Sequence, residues 1–264
     1  MDFWLLYLAT GVFAGFLAGL LGVGGGLVIV PVLASHIAAQ HFPSGQIMHL
    51  ALGTSLTSIM FTSVSSLRAH HAHGAVNWQV VRDITPGIIA GTLAGTVLAA
   101  QLSTAFLKVF FVVFLYYVAT QMVMNIKPKP SRELPRAAGM FGAGGIIGAV
   151  SSLVGIGGGT LSVPFMTWCN VKMHQAIGTS AAIGFPIAAA GAVGYIANGW
   201  ALETLPTYSL GFVYLPALAG LAVASVLTAP FGARLAHRLP VARLKKFFAL
   251  LLYVLGTRML FSLF

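Results

Sequence analysis

Charged side chains are scarce in this sequence. Only 7% of its 264 residues are Asp, Glu, Lys or Arg, whereas 58% are hydrophobic. Because an ordinary soluble domain carries about 25% charged residues, this composition excludes a soluble globular fold. It predicts an integral membrane protein.

Carboxylates are the rarest charged groups, with four Asp and Glu residues in the whole chain. None lies plainly inside an apolar segment, and Arg258 is the only charge within one. Since proton or sodium coupling commonly uses an acid inside the membrane, we expect no carboxylate-based coupling. Exit of an anion from a cell with a negative interior is already favoured by about 2.3 kcal/mol per charge per 100 mV.

Cysteine and an N-terminal basic region are also lacking. The single cysteine, Cys169, excludes an intrachain disulfide. The first residues, Met1 to Trp4, include no Lys or Arg, so we expect no cleaved signal peptide.

The net charge of +10 does not indicate a nucleic-acid partner. The basic residues stand in short patches between apolar stretches, whereas a nucleic-acid-binding domain gathers them on one soluble face. These patches are typical of loops that orient a membrane protein.

Long apolar runs make up most of the chain. Six of the eight runs suit a spanning helix, which needs about 20 residues. The first and fifth are too long, since 31 residues of helix would reach about 46 Å across a hydrocarbon core of about 30 Å. The eight runs lie at about 3–33, 46–67, 84–107, 109–126, 137–169, 175–197, 208–231 and 247–264.

Each overlong run contains a glycine cluster, at 22–26 (GVGGG) and at 155–159 (GIGGG). Five residues after the last glycine comes a proline, Pro31 in one run and Pro164 in the other. Glycine favours unwound backbone and proline reinforces a discontinuity, so both runs are predicted to be a helix, a break and a shorter helix. Such a break needs protein or a water-filled cavity around it.

The two breaks belong to an internal repeat. Residues 19–33 and 152–166 share seven of fifteen positions, and residues 48–55 and 173–180 share six of eight, including a Gly-Thr-Ser motif. Residues 108–122 and 245–259 match again through Lys, Phe, Tyr, Thr and Met. The sequence therefore predicts a first repeat at 1–126, a basic linker at 127–136 and a second repeat at 137–264.

The distribution of Lys and Arg favours an inverted arrangement of these repeats. If each overlong run enters the membrane and returns, twelve of the thirteen basic loop residues fall on one side and only Lys108 on the other. Three net crossings per half then place the second half upside down. We expect an all-α membrane protein with two inverted-topology repeats, each a glycine-broken hairpin or re-entrant segment plus three spanning helices. The linker is expected to be cytoplasmic and both termini periplasmic.

The breaks are the predicted substrate site. Helices restarting near Leu27 and Thr160 would offer free amides and about half a positive charge each, and the absence of Cβ atoms would let an anion approach. Hydroxyl groups in the next helix of each half could complete the coordination of oxyanion oxygens. The predicted substrate-binding residues are Gly24, Gly25, Gly26, Thr54, Ser55, Gly157, Gly158, Gly159, Thr179 and Ser180.

Other interpretations stay open. The glycines could serve helix packing alone, and Thr54 and Thr179 could bond their own helix backbone. The matched pair His49 and His174 could relay protons or cap helices. His70, His71 and His73 are interpreted as a solvated loop and not as a metal site, because only Asp83 is nearby. We predict no metal, no cofactor and no catalytic residue, and hence no enzyme.

The two glycine breaks with their prolines, together with Gly53-Thr54-Ser55 and Gly178-Thr179-Ser180, resemble the TauE/SafE family of membrane permeases, the sulfite exporter family. The resemblance covers essentially the whole chain, including the basic linker and the aromatic C-terminal helix. It implies a bacterial inner-membrane permease that moves sulfite, thiosulfate or a small organosulfonate, usually outward, with the motif residues named above at its site. The alternative is a channel or an accessory membrane subunit for another small anion. A homo-oligomer is a possible assembly in either case.

Overall fold

A computed structural model describes residues 3–22, 24–124, 131–236 and 241–262. Ten α-helices follow one another in these ranges. The first five are α1 (Phe3–Leu21), α2 (Gly26–Ala39), α3 (Ile47–Ala72), α4 (Trp78–Gln101) and α5 (Thr104–Val123). The other five are α6 (Ala137–Val154), α7 (Gly159–Trp168), α8 (Met173–Gly199), α9 (Leu215–Ala236) and α10 (Val241–Phe261).

The described helices confirm the all-α membrane class. Seven of them are long and apolar enough to cross a membrane: α1, α3 with the preceding 3₁₀ turn Ser44–Gln46, α4, α5, α6, α8 and α9. A helix satisfies its own backbone, which is why apolar runs of this length adopt it in lipid. The two longest, α3 and α8, are also the most enclosed and form the centre of the molecule.

Both glycine clusters interrupt a helix as predicted. The chain leaves α1 at Leu21 and starts α2 at Gly26, and it leaves α6 at Val154 and starts α7 at Gly159. The restarts come one residue earlier than expected. Val23, within the first break, lies outside the described residues. Pro31 and Pro164 do not mark discontinuities, because each sits inside its short helix, where a proline removes a single backbone hydrogen bond.

The chain folds back at each break. At the end of α2, His36 and Gln40 contact Tyr7 near the start of α1, with a Gln40 Nε2 to Tyr7 hydroxyl distance of 3.3 Å. At the end of α7, the Trp168 indole N–H donates to Ser131 Oγ, just before α6, at 2.9 Å. Each overlong run is thus a helical hairpin.

Equivalent helices of the two halves run antiparallel. Along α3 and α8, Leu56 lies against Gly191, and Ser63, further on, lies against Gly184, earlier in α8. The same order reversal is found between α5 and α10. There Tyr116 bonds Thr257 at 2.7 Å, Thr120 bonds Tyr253 at 2.7 Å and Lys108 donates to Ser262.

The two halves also interlock. The most extensive packing joins α1 to α9 and α4 to α6, and each of these pairs combines one helix from each half. Small residues allow the close approach. In the first pair, three successive glycines of α1 lie against three successive residues of α9: Gly11 against Leu221, Gly15 against Ser225 and Gly19 against Ala229. In the second pair, three glycines of α4 lie against α6 in the same way: Gly87 against Phe141, Gly91 against Gly145 and Gly95 against Ala149. Both pairs are therefore parallel.

Two opposite faces result from this arrangement. The terminal face carries the start of α1, the turn at 40–46, the 200–214 segment and the end of α10. Two hydrogen bonds connect the turn to its neighbours: Gln46 donates to the Thr204 hydroxyl at 2.6 Å, and Thr104 donates to the Gly45 carbonyl at 2.6 Å. The linker face carries the connections at 73–77, 131–136 and 169–172. Residues 131–136 are neither helix nor strand, and Lys127, Lys129 and Arg238 lie outside the described residues.

Two details differ from expectation. The apolar run at 208–231 begins with a small antiparallel hairpin, β1 (Ser209–Leu210) and β2 (Val213–Tyr214), that the sequence did not predict, because two-residue strands leave no alternating pattern. The interpretation of His70 as part of a solvated loop is wrong. His70 is fully buried in α3, where Nε2 lies 3.0 Å from the Gly19 carbonyl.

Candidate functional site

The two glycine breaks meet in the centre of the molecule. A Cβ atom placed on Gly24 would lie 3.0 Å from the Cα and N atoms of Gly157. One placed on Gly26 would overlap the carbonyl oxygen of Gly155. Because backbone passes backbone at this distance, side chains are excluded from the crossing, which explains glycines at these positions.

The short helices start at this crossing without side-chain caps. Their N-cap residues, Gly25 and Gly158, have nearly the same left-handed conformation, with φ of 78° and 77°. Neither helix has a side-chain hydrogen bond at its cap. The first amides of a helix have no partner within it and carry partial positive charge, so α2 and α7 bring two such ends to the same region.

The serines of the two Gly-Thr-Ser motifs tie each half to the break of the other half. Ser55 in α3 donates to the Gly155 carbonyl at 2.8 Å, and Ser180 in α8 donates to the Gly22 carbonyl at 2.9 Å. Ser162 in α7 adds a third bond, donated to Ser180 at 3.0 Å. These fully buried hydroxyls thus hold the breaks in place.

The threonines of the motifs make a second matched pair of contacts. Thr54 accepts from the amide of Tyr214, just before α9, and Thr179 accepts from the amide of Asn77, just before α4, both at 2.9 Å. The partner of each threonine again lies in the opposite half. These contacts differ from the helix-backbone bonds that were the open alternative for both residues.

A small cavity lies beside the crossing. Its volume of about 10 Å³ is room for about one water-sized molecule. Of the predicted site residues, Gly24, Gly157 and Ser180 line it. The cavity is otherwise formed by Ala18, Gly22, Ile59, Thr62, Ser63, Ser66, Ala181 and Gly184.

The α3 hydroxyls in this lining, those of Thr62, Ser63 and Ser66, were missed from the sequence. Ser55, Ser58, Thr62 and Ser66 follow one another every three or four residues, which places them on one face of the helix. Ser58 and Ser66 are buried, and their hydroxyls have no hydrogen-bond partner among the described residues. We call these four residues the hydroxyl stripe. The sequence could have indicated this stripe, because six of the ten residues at 57–66 are Ser or Thr.

The matched histidines are not equivalent in space. His49 is buried, with Nε2 at 2.9 Å from the Ala99 carbonyl and its ring stacked on Phe212, whereas His174 is exposed. In the described part of the chain, no group of three His, Cys, Asp or Glu residues is placed to hold a metal ion.

The chain is similar to one family model and to several membrane transporter proteins. The family model described as sulfite exporter TauE/SafE matches residues 7–259. A probable membrane transporter protein of Haemophilus influenzae is 40% identical over 97% of this chain and 98% of its own length. A probable membrane transporter protein of Methanocaldococcus jannaschii is 27% identical over 97% and 94% of the two chains. No solved structure matches.

Proposed function

Because the chain belongs to the TauE/SafE sulfite exporter family, we propose that it is a secondary transporter that exports a small sulfur-containing oxyanion across the bacterial inner membrane. Sulfite, thiosulfate and small organosulfonates are the proposed substrates. That it is a membrane transporter follows from the family and from the apolar helices. The substrate and the direction are the proposal.

The meeting of the two glycine breaks beside a hydroxyl-lined cavity carries this proposal. Two uncapped helix starts provide positive potential and amide donors, and Ser66 adds a buried hydroxyl that has no hydrogen-bond partner among the described residues. An oxyanion presents several acceptor oxygens and a negative charge, which match both features. The described lining contains no carboxylate that would repel it.

The size of the cavity favours a carrier over an open channel. About 10 Å³ admits one water-sized molecule, whereas sulfite has four heavy atoms. The structure is thus closed at the crossing, and passage of a substrate requires the helices around it to move. Alternating access, in which one face opens while the other closes, fits this requirement.

The proposed orientation places the linker face in the cytoplasm and the terminal face in the periplasm. Among the described residues, Arg68, Arg132, Lys172 and Arg234 belong to the linker face and Lys108 to the terminal face, in line with the positive-inside rule. An impermeant thiol reagent added to intact cells should label Gly45→Cys on the terminal face and not Ser131→Cys on the linker face. The reverse labelling would refute this orientation.

Gly184→Ala is the sharpest test of the site. Its Cβ would lie 3.4 Å from the Gly157 carbonyl oxygen and 3.6 Å from Ser63 Cβ, which are ordinary contacts, so the fold should tolerate it while the cavity loses space. We expect efflux of labelled sulfite, thiosulfate or a small sulfonate from proteoliposomes to fall about tenfold, equivalent to about 1.4 kcal/mol in the barrier.

Gly256→Ala is the matched control. Gly256 is also a buried helical glycine, and its added Cβ would lie 3.6 Å from Leu115, away from the crossing. Saturable flux that falls in Gly184→Ala and persists in Gly256→Ala supports the proposal. Equal flux in both variants would remove the cavity from the pathway, and the lack of flux for any of these anions would refute the substrate class.

A further inference from the structure

A much larger cavity opens on the linker face between α3, α8 and α9. Its volume is about 760 Å³, and we call it the vestibule. The polar residues in its lining are Ser65, Arg68, His73 and Arg234, and side chains such as Phe185 and Pro230 provide apolar walls. The family resemblance assigned no role to any of these residues.

The vestibule adjoins the small cavity at the crossing. Along α3, Ser63 and Ser66 line the small cavity, while the intervening Val64 and Ser65 line the vestibule. Along α8, Gly184 lines the small cavity and the next residue, Phe185, lines the vestibule. The two cavities therefore lie on neighbouring faces of α3 and α8, and Thr62 and Ser66 of the hydroxyl stripe lie on the side of the small cavity.

The vestibule carries unbalanced positive charge. Arg68 and Arg234 are exposed in it, and among the described residues that line it there is no Asp or Glu. A cleft with charge of one sign and low-dielectric walls focuses the electric field and concentrates ions of the opposite sign. This cavity should therefore concentrate small anions.

The repeat shows that packing does not require these polar residues. The Gly-Thr-Ser match places Val193 opposite Arg68, and the match of residues 108–122 with 245–259 places Val97 opposite Arg234. Both valines are exposed apolar residues, at 62% and 49%. The hydroxyls of Thr62, Ser63 and Ser66 likewise correspond to Ile187, Ala188 and Gly191. At these equivalent positions, the polar groups lie on the linker-face side of the crossing.

We propose that the vestibule is a second anion site, in which Arg68 and Arg234 collect a small sulfur oxyanion or organosulfonate at the linker face and pass it to the hydroxyl stripe. An exported anion reaches this site before it reaches the crossing. The site therefore sets the affinity for anion presented at the linker face. The identity of the anion rests on the proposed function, while the collection of anions is a property of the cavity itself.

The first test measures transport from each face. In oriented proteoliposomes, Arg68→Gln and Arg234→Gln should each raise the apparent KM for anion presented at the linker face about tenfold at low ionic strength, and less at high salt. The charge-preserving Arg68→Lys should restore most of the affinity. Lys172→Gln, which removes an exposed cation of the same face outside the vestibule, is the control and should leave KM unchanged.

The second test does not require transport. A cysteine in place of Val64, in a chain with Cys169→Ala, is labelled in phosphatidylcholine vesicles by an anionic sulfonate methanethiosulfonate and by its cationic trimethylammonium analogue. The rate at which the anionic reagent labels this cysteine, divided by the rate for the cationic reagent, should fall about tenfold when both arginines become glutamine. The same ratio at Gly45→Cys, an open site on the terminal face, should not respond to the arginines.

The outcomes separate this inference from the proposed function. If wild-type protein transports sulfur anions but neither KM nor the labelling ratio responds to the arginines, the vestibule site is wrong and the function stands. If no anion is transported but the ratio depends on the arginines, the vestibule stands and the function is wrong. If, in vesicles containing anionic lipid, the ratio at Val64→Cys divided by the ratio at Gly45→Cys no longer responds to the arginines, the arginines bind lipid headgroups and the inference is overturned.

Discussion

At the scale of single residues, the Gly-Thr-Ser motif explains how two repeats form one site. Its glycines, Gly53 and Gly178, leave no room for a Cβ beside the carbonyls of Phe212 and Ala75. The hydroxyls next to them then bond backbone groups of the opposite half. The motif was predicted to contact an anion directly. That role stays a prediction, and it now requires hydroxyls that already hold the breaks to change partners.

The two motif serines should contribute unequally to stability. Ser55→Ala removes one hydrogen bond, whereas Ser180→Ala removes two, because Ser180 also accepts from Ser162. We expect Ser55→Ala to lower the free energy of unfolding by about 1 kcal/mol and Ser180→Ala by about 2 kcal/mol. Denaturant unfolding in mixed micelles measures both.

The control for the serines is Ser35→Ala, which removes a hydroxyl that bonds only its own helix, at the Pro31 carbonyl. Its effect should be smaller than either motif substitution, because no contact between the halves is lost. If all three variants unfold alike, the cross-half bonds add nothing beyond a typical helix hydroxyl.

At the scale of helices, some features were readable in the sequence and others were not. Glycine clusters predicted both breaks because Gly22, Gly155, Gly25 and Gly158 require positive φ, a local property that composition reports. That α4 packs on α6, and α1 on α9, depends on tertiary contacts between distant segments. The glycines at every fourth position in α1 and α4 indicated close packing but not the partner helix.

Gly91→Ala tests one of the closest of these helix contacts. A Cβ on Gly91 in α4 would overlap the backbone carbonyl of Gly145 in α6, so the two helices must separate. We expect a loss of about 1 to 3 kcal/mol of stability, seen as a lower midpoint of thermal unfolding.

Gly142→Ala in α6 is the matched substitution for this helix pair. A Cβ there meets no atom within 4 Å, so stability should stay constant or rise through the higher helix propensity of alanine. Destabilisation by Gly142→Ala as large as that by Gly91→Ala would show that helix separation is not the cause.

At the scale of the whole molecule, the sequence halves cannot move as two separate bodies. Residues 1–126 and 137–264 were predicted as repeats, and in space α1 packs on α9 and α4 on α6. Rocking of one half against the other would break both of these interfaces. A movement that preserves them shifts the α1 and α9 pair, or the α4 and α6 pair, against the central helices α3 and α8.

A disulfide between α3 and α9 should therefore stop transport reversibly. The hydroxyls of Thr62 and Ser225 are hydrogen-bonded to each other across these helices, beside the small cavity. This places the two side chains close enough for Thr62→Cys and Ser225→Cys to be oxidised to a disulfide, in a chain with Cys169→Ala. We expect oxidation to reduce sulfite efflux more than tenfold and a reductant to restore it.

The reduced form of the same protein is the reference for this experiment, so the effect of the two substitutions themselves cancels. Loss of flux on oxidation would mean that α9, and with it α1, moves against the centre during each cycle. Full flux through completely cross-linked protein would show that this interface stays closed. The opening would then have to come from the α4 and α6 pair alone, and because the vestibule lies between α3, α8 and α9, its volume would stay fixed throughout transport.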